Sequence, residues 1–95
     1  TPLMKAAVNG NTGAVNMLIE YGADLNATDK DGLTAAMLAC ESGRYEAAKA
    51  LLDAGVDVNI KDKAGENLLD HARKFGHDHI VALLRQYMTV NETAQ

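Results

Sequence analysis

The chain has no tryptophan, one phenylalanine, one proline and one cysteine in 95 residues, and aromatic side chains make up 4% of it. With so few rings, a hydrophobic content of 47% has to be carried by Ala, Leu, Val and Met, and small residues at high frequency favour closely packed helices. Cys40 has no partner for an internal disulfide. Small extracellular domains without such staples are uncommon, so the expected location is intracellular, in the cytoplasm. No apolar run approaches the ~20 residues that span a bilayer, and no charged-then-apolar leader is present, so no membrane partner is expected. Basic residues are also short: 9 against 13 acidic ones, a net charge of −4. That balance argues against nucleic acid as the default partner, because a phosphate backbone calls for a basic surface. The two N-x-T triplets, at Asn26 and Asn91, matter only in a secreted protein and are read as silent.

What the chain has in quantity is self-similarity. Residues 1 to 22, 34 to 55 and 67 to 88 align as TPLMKAAVNGNTGAVNMLIEYG, TAAMLACESGRYEAAKALLDAG and NLLDHARKFGHDHIVALLRQYM. Gly10, Gly43 and Gly76 share a column, as do Ala6, Ala39 and Ala72, and Leu18, Leu51 and Leu84. The connectors match too, GADLNATDKDG against GVDVNIKDKAG, at an offset of 33 residues, which is a period of solenoid repeats.

Each column has a physical meaning. Thr1 and Thr34 stand where a hydroxyl caps a helix N-terminus, and Pro2 takes the first helical position, where a missing N–H costs nothing. Leu3, Ala6 and Ala7 have helical spacing, and Gly10 ends that helix after about two turns. A second helix follows, carrying Val15, Leu18 and Ile19 in copy one and Ala47, Ala48, Leu51 and Leu52 in copy two. It stops at Gly22 or Gly55. Beyond it, Asp24-Leu25-Asn26 and Asp57-Val58-Asn59 alternate in the manner of an extended finger. Asp29, Asp62, Asn26 and Asn59 are expected to bond their own turn backbone.

A unit of helix, turn, helix and protruding finger, with Thr1-Pro2-Leu3, the Ala6-Ala7 pair, an inter-helix Gly and the run Gly22 to Ala27 in order, resembles the ankyrin repeat. The resemblance covers residues 1–88: repeat one over 1–33, repeat two over 34–66 and a C-terminal capping repeat over 67–88, followed by a polar tail at 89–95. It implies an all-α repeat solenoid with hairpin-like fingers, and a non-catalytic module that binds another protein on a concave face. Two columns depart from the family. Met4, Met37 and Asp70 stand where it usually has a histidine bonding between neighbouring units, and Ala35-Ala36 replaces Pro-Leu in copy two.

In copy three Arg85 occupies the column of Ile19 and Leu52, and Met88 that of Gly22 and Gly55. An unpaired buried guanidinium costs several kcal/mol, so no fourth unit is expected to stack there. Copy one carries no such polar dressing, so its N-terminal face is expected to be adhesive and further repeats are expected upstream. The cluster of His71, His77 and His79 beside Asp70 and Asp78 has suitable ligand types for zinc. However, no two of the histidines share a helix face at i, i+4, and they are read as solvated residues at the end of the domain, with His77 capping the second helix. No metal or cofactor is expected.

No phosphate-binding Gly loop, nucleophile elbow or C-x-x-C pair occurs. Cys40 and the four methionines are read as core filler. What remains is a set of columns outside the framework: on the fingers, Thr28 and Lys61, Asp31 and Ala64, Leu33 and Glu66, where the copies differ, and the fingertip lysines Lys30 and Lys63. On the first helices they are Val8, Glu41 and Lys74, then Asn9, Ser42 and Phe75. From these columns the expected partner-binding residues are Thr28, Lys30, Asp31, Leu33, Glu41, Ser42, Lys61, Lys63, Glu66, Lys74 and Phe75. Leu33 and Phe75 are large and apolar where the fold should leave them accessible, although Phe75 has a competing placement against its own second helix. Two further readings remain: a regulatory or targeting domain of a larger enzyme, and nucleic-acid binding through Lys61, Lys63, Arg73 and Lys74, which the acidic balance disfavours.

Overall fold

The computed structural model describes the backbone of residues 1–93 and the side chains of residues 1–87. Three helical pairs follow one another: α1 (Pro2–Asn9) with α2 (Thr12–Glu20), α3 (Ala35–Glu41) with α4 (Tyr45–Asp53), and α5 (Leu68–Lys74) with α6 (Asp78–Thr93). The first helices stack on one another, α1 on α3 and α3 on α5, while α2, α4 and α6 form a second layer behind them. No strand occurs among the described residues.

The helices begin and end for the reasons the columns give. Thr1 and Thr34 hydroxyls accept the backbone N–H three residues on, as does the Asn67 side chain in copy three. The column that departs from the family closes each cap reciprocally. Asp70 Oδ2 accepts from Asn67 N at 3.0 Å, and the Met37 sulfur takes the Thr34 N–H at 3.5 Å. These side chains therefore serve their own helix. Gly10 ends α1 in the left-handed region at φ 70°, where a side chain would be strained.

The core is a file of small and medium residues running through the stack. Ala7, Ala39 and Ala72 are sealed between first helices, and Val15, Leu51, Ile80 and Leu84 fill the space between layers. Complete burial of such a leucine is worth about 1.5–3 kcal/mol. The Ala35-Ala36 pair is buried, so copy two keeps its packing with less bulk. Cys40, 1% exposed, is filler as its column requires.

Fingers 1 (residues 23–33) and 2 (residues 56–66) alternate between exposed and covered residues along their stems. They are joined at both ends. Asn26 Oδ1 accepts from Asp57 N at 3.0 Å near the stems, and Lys63 N donates to Asp31 O at 3.1 Å near the tips. Gly32 is obligatory at that second joint, because a Cβ would lie 2.9 Å from Lys63 N.

Several expectations need correction. Asn26 bonds the next finger and not its own turn; the turn role falls to Asp24 and Asp57, which accept from the N–H of Asn26 and Asn59. Met17 is 56% exposed and is not core, because nothing among the described residues stacks on its side of α2. His71 is not solvated but buried, for reasons given below. Helix α6 extends through Thr93, and the expectations for Met88 and for the polar tail at 89–95 fall outside the described side chains.

Candidate protein-docking face

On the fingers, Thr28, Lys30, Asp31, Lys61 and Lys63 are exposed, as are Ser42, Lys74 and Phe75 where α3 and α5 end. Phase along each element explains this. Framework columns turn into the file between units, and the intervening residues point away from it. Phe75 is 49% exposed. Leu33, Glu41 and Glu66 are half-buried and are not brought onto the open surface with the rest. Leu33 packs against the core while its N–H donates to Asp29 Oδ1 at 2.9 Å. Contrary to the sequence expectation, its apolar bulk is spent on the fold.

The fingertip aspartates are the turns' own fasteners. Asp29 Oδ1 accepts from Asp31 N and Leu33 N, and Asp62 Oδ1 from Ala64 N and Glu66 N. Bonds from Leu33 and Asp31, helped by the charge of Lys30, hold the Asp29 carboxyl below the ordinary carboxylate range. Glu66 N, His71 and Ala64 N do the same for Asp62, since donors stabilise the ionised form.

His71 is 4% exposed. Its Nε2 lies 2.8 Å from Asp62 Oδ2, and Nδ1 lies 3.3 Å from Glu41 Oε2 without an aligned hydrogen bond. One imidazole thus joins finger 2, α5 and α3. Asp62, Glu66 and His71 have ligating atoms within 4.8 Å of one another. As a cation site this trio is compromised, because Asp62 is committed to two N–H groups and the imidazole, and Glu66 already faces Lys74 Nζ at 3.4 Å.

Two contacts between units escaped the sequence reading. Arg44 Nε donates to Val8 O at 3.0 Å, and His77 Nε2 lies 2.9 Å from Glu41 O. Both acceptors are carbonyls near the end of the preceding unit's first helix, and the two pairs share columns. The signal was present: donor-bearing side chains at 44 and 77 follow a glycine column. A Cβ on Gly43 would lie 2.8 Å from the His77 ring. His79 is exposed and stacks on Tyr45, ring centroids 5.3 Å apart. Burial first, then Glu41, pushes the Cys40 thiol up to about 12, so it is no thiolate nucleophile at neutral pH.

At the two ends the faces differ. Arg85 and Arg73 are exposed at the C-terminal end, and Arg73 occupies the column where Ala7 and Cys40 are sealed. At the other end an open groove of about 710 Å³ is lined by Pro2, Ala6, Ala14, Met17 and Leu18 among others.

Comparison with known proteins agrees with this architecture. A family model described as ankyrin repeats, in 3 copies, matches residues 3–94. The chain belongs to the ankyrin repeat family, a non-catalytic interaction fold whose members generally bind other proteins. Among curated proteins, the mouse (Mus musculus) fibronectin type 3 and ankyrin repeat domains 1 protein is 52% identical over 40 residues, covering 41% of this chain and 12% of the mouse protein. The match therefore spans about an eighth of that relative's length. No helix among the described residues is long and apolar enough to cross a membrane.

Proposed function

We propose that this chain is a non-catalytic module that docks a partner protein on the concave face formed by its fingers and first helices. One observation carries the reading. Helix framework columns such as Ala6/Ala39/Ala72 are buried, whereas the columns Thr28/Lys61, Asp31/Ala64 and Asn9/Ser42/Phe75, whose residues change between copies, are exposed throughout. Packing does not choose those residues, which leaves them free to serve recognition. Repeat solenoids bind on such extended faces.

The test is selection of binders from a random-peptide display library on the immobilised domain, followed by substitution. Ser42→Arg and Phe75→Ala should abolish or weaken capture, while Glu46→Ala on the outer helix α4 should not. Binders lost only on outer-helix substitutions would contradict the reading.

The N-terminal groove supports a companion proposal, that a further ankyrin unit covers it. Residues lining the groove have equivalents in copy two that are sealed against copy one: Ala14 matches Ala47, and half-buried Leu18 matches fully buried Leu51. A protein with an added ankyrin unit ahead of Thr1 should unfold at higher denaturant, because each interface adds nearest-neighbour stability. An unchanged midpoint would mean that the groove is not a stacking surface.

A further inference from the structure

The repeat register sets a buried contact of the third unit against an open groove one period earlier. Between units two and three, Asp62 Oδ1 accepts from Ala64 N and Glu66 N, while Asp62 Oδ2 meets His71 Nε2 at 2.8 Å. The other ring nitrogen faces Glu41. Moved back by 33 residues, the positions of Asp62, His71 and Glu41 are those of Asp29, Leu38 and Val8. Asp29 Oδ1 fastens its turn in the same way, through Asp31 N and Leu33 N. The Leu38 side chain has no N–H to offer, and Asp29 Oδ2 has no hydrogen-bond partner among the described residues. At this interval the concave face opens into a groove of about 480 Å³, lined by Met4, Lys5, Val8, Asn9, Asp29 and Leu38 among others. Each of these residues is the register counterpart of one around His71, with Val8 and Leu38 supplying apolar walls where the next unit has a carboxylate and an imidazole.

We propose that this groove receives a histidine side chain of the partner protein, its ring N–H donating to Asp29 Oδ2 as His71 Nε2 does to Asp62, and its flat face packing on Val8 and Leu38. The proposal rests on the docking reading above, since finger 1 and the first helices form the walls. Hydrogen bonding and shape choose the occupant. Net charge does not, because Lys5 lines the same groove and Lys30 adjoins Asp29. A bond to an ionised acceptor is stronger than a neutral one, and a planar ring pressed on apolar walls adds desolvated contact. An arginine would bring five N–H donors to a groove with one carboxylate, whereas a neutral imidazole brings one.

Peptides selected from the random library on the immobilised domain should share a histidine, and a synthetic copy with phenylalanine in its place should bind about tenfold more weakly. Asp29→Asn should weaken the histidine peptide to a similar degree, because the amide keeps an oxygen for the turn bonds and puts a nitrogen where Oδ2 stood. A cooperative thermal melt of that variant would show that the fold is intact. Leu38→His builds the contact of the third unit into the second: it should reduce capture at least tenfold, and Asp29→Asn should lower its melting temperature more than it lowers the parent's. An equal loss in both backgrounds would mean that the contact does not transfer and would overturn the proposal. If the selected peptides lack a histidine, or carry arginine or tryptophan in its place, yet depend on Ser42 or Phe75, the histidine proposal is wrong and the docking reading stands. If no peptide binds, or binding ignores Asp29, Ser42 and Phe75 alike, both are wrong.

Discussion

His71 on α5 and Asp62 on finger 2 meet at 2.8 Å, nearly sealed from solvent, so the second finger is fixed to the third repeat by a histidine–carboxylate contact. Asp62 also carries two turn N–H groups. Its folded carboxyl is held below the ordinary value of about 3.9. A depressed carboxyl stabilises the fold above its unfolded pKa, and that contribution is lost as pH falls toward the lower native value. Denaturant midpoints should therefore drop between about pH 5 and pH 3. Asp62→Asn should be less stable at neutral pH and show a shallower fall with acid. Identical pH slopes in both proteins would show that the carboxylate carries no linkage.

Gly43 and Gly55 offer a controlled comparison. Both have positive φ, 70° and 93°, but an added Cβ meets the His77 ring at Gly43 and nothing within 4 Å at Gly55. Each alanine variant bears a left-handed penalty of about 1–2 kcal/mol. Only Gly43→Ala should also disturb the His77 bond to Glu41 O. Chemical denaturation should rank Gly43→Ala below Gly55→Ala, and the reverse order would mean that the His77 contact contributes nothing.

Arg85 fills an exposed position in the column where Leu52 is buried. Arg85→Leu should expose a continuous apolar stacking column and raise self-association, visible as mass growth in light scattering across a concentration series. A constant monomer mass would count against the capping role.

Leu33 and Phe75 should separate in their effects. Leu33→Ala removes packing from the edge of the core and should cost about 1–2 kcal/mol of stability. Phe75→Ala should leave the unfolding midpoint nearly unchanged and cost about 1–3 kcal/mol in binding a selected peptide. A sharp fall in the Phe75→Ala midpoint with affinity intact would assign Phe75 to the core.

Most of the architecture was legible because the interactions that set it are local and repeated. Thr1 and Thr34 cap within three residues, Gly10 stops a helix by its own φ, and the 33-residue register locates the sealed alanines. The solvent-facing Arg85 followed from the same register, and Arg73 was legible in the column of Ala7 and Cys40. What escaped depends on neighbours in space. Asn26 has two ways to satisfy one acceptor, its own turn or the next finger, and only the distance between fingers decides. His71 looked like a terminal polar residue because its partners come from another repeat and from the far side of a finger. Exposure of Met17 likewise depends on what stacks against α2, and its own chemistry does not set it.

Amide hydrogen exchange of the domain, free and saturated with a selected peptide, tests the docking account most directly. Binding should slow exchange at the finger tips, residues 28–33 and 61–66, and at the ends of α3 and α5. The backbone of α2, α4 and α6 should be unchanged. Protection confined to the outer helices, with the fingers exchanging as in the free protein, would contradict the account.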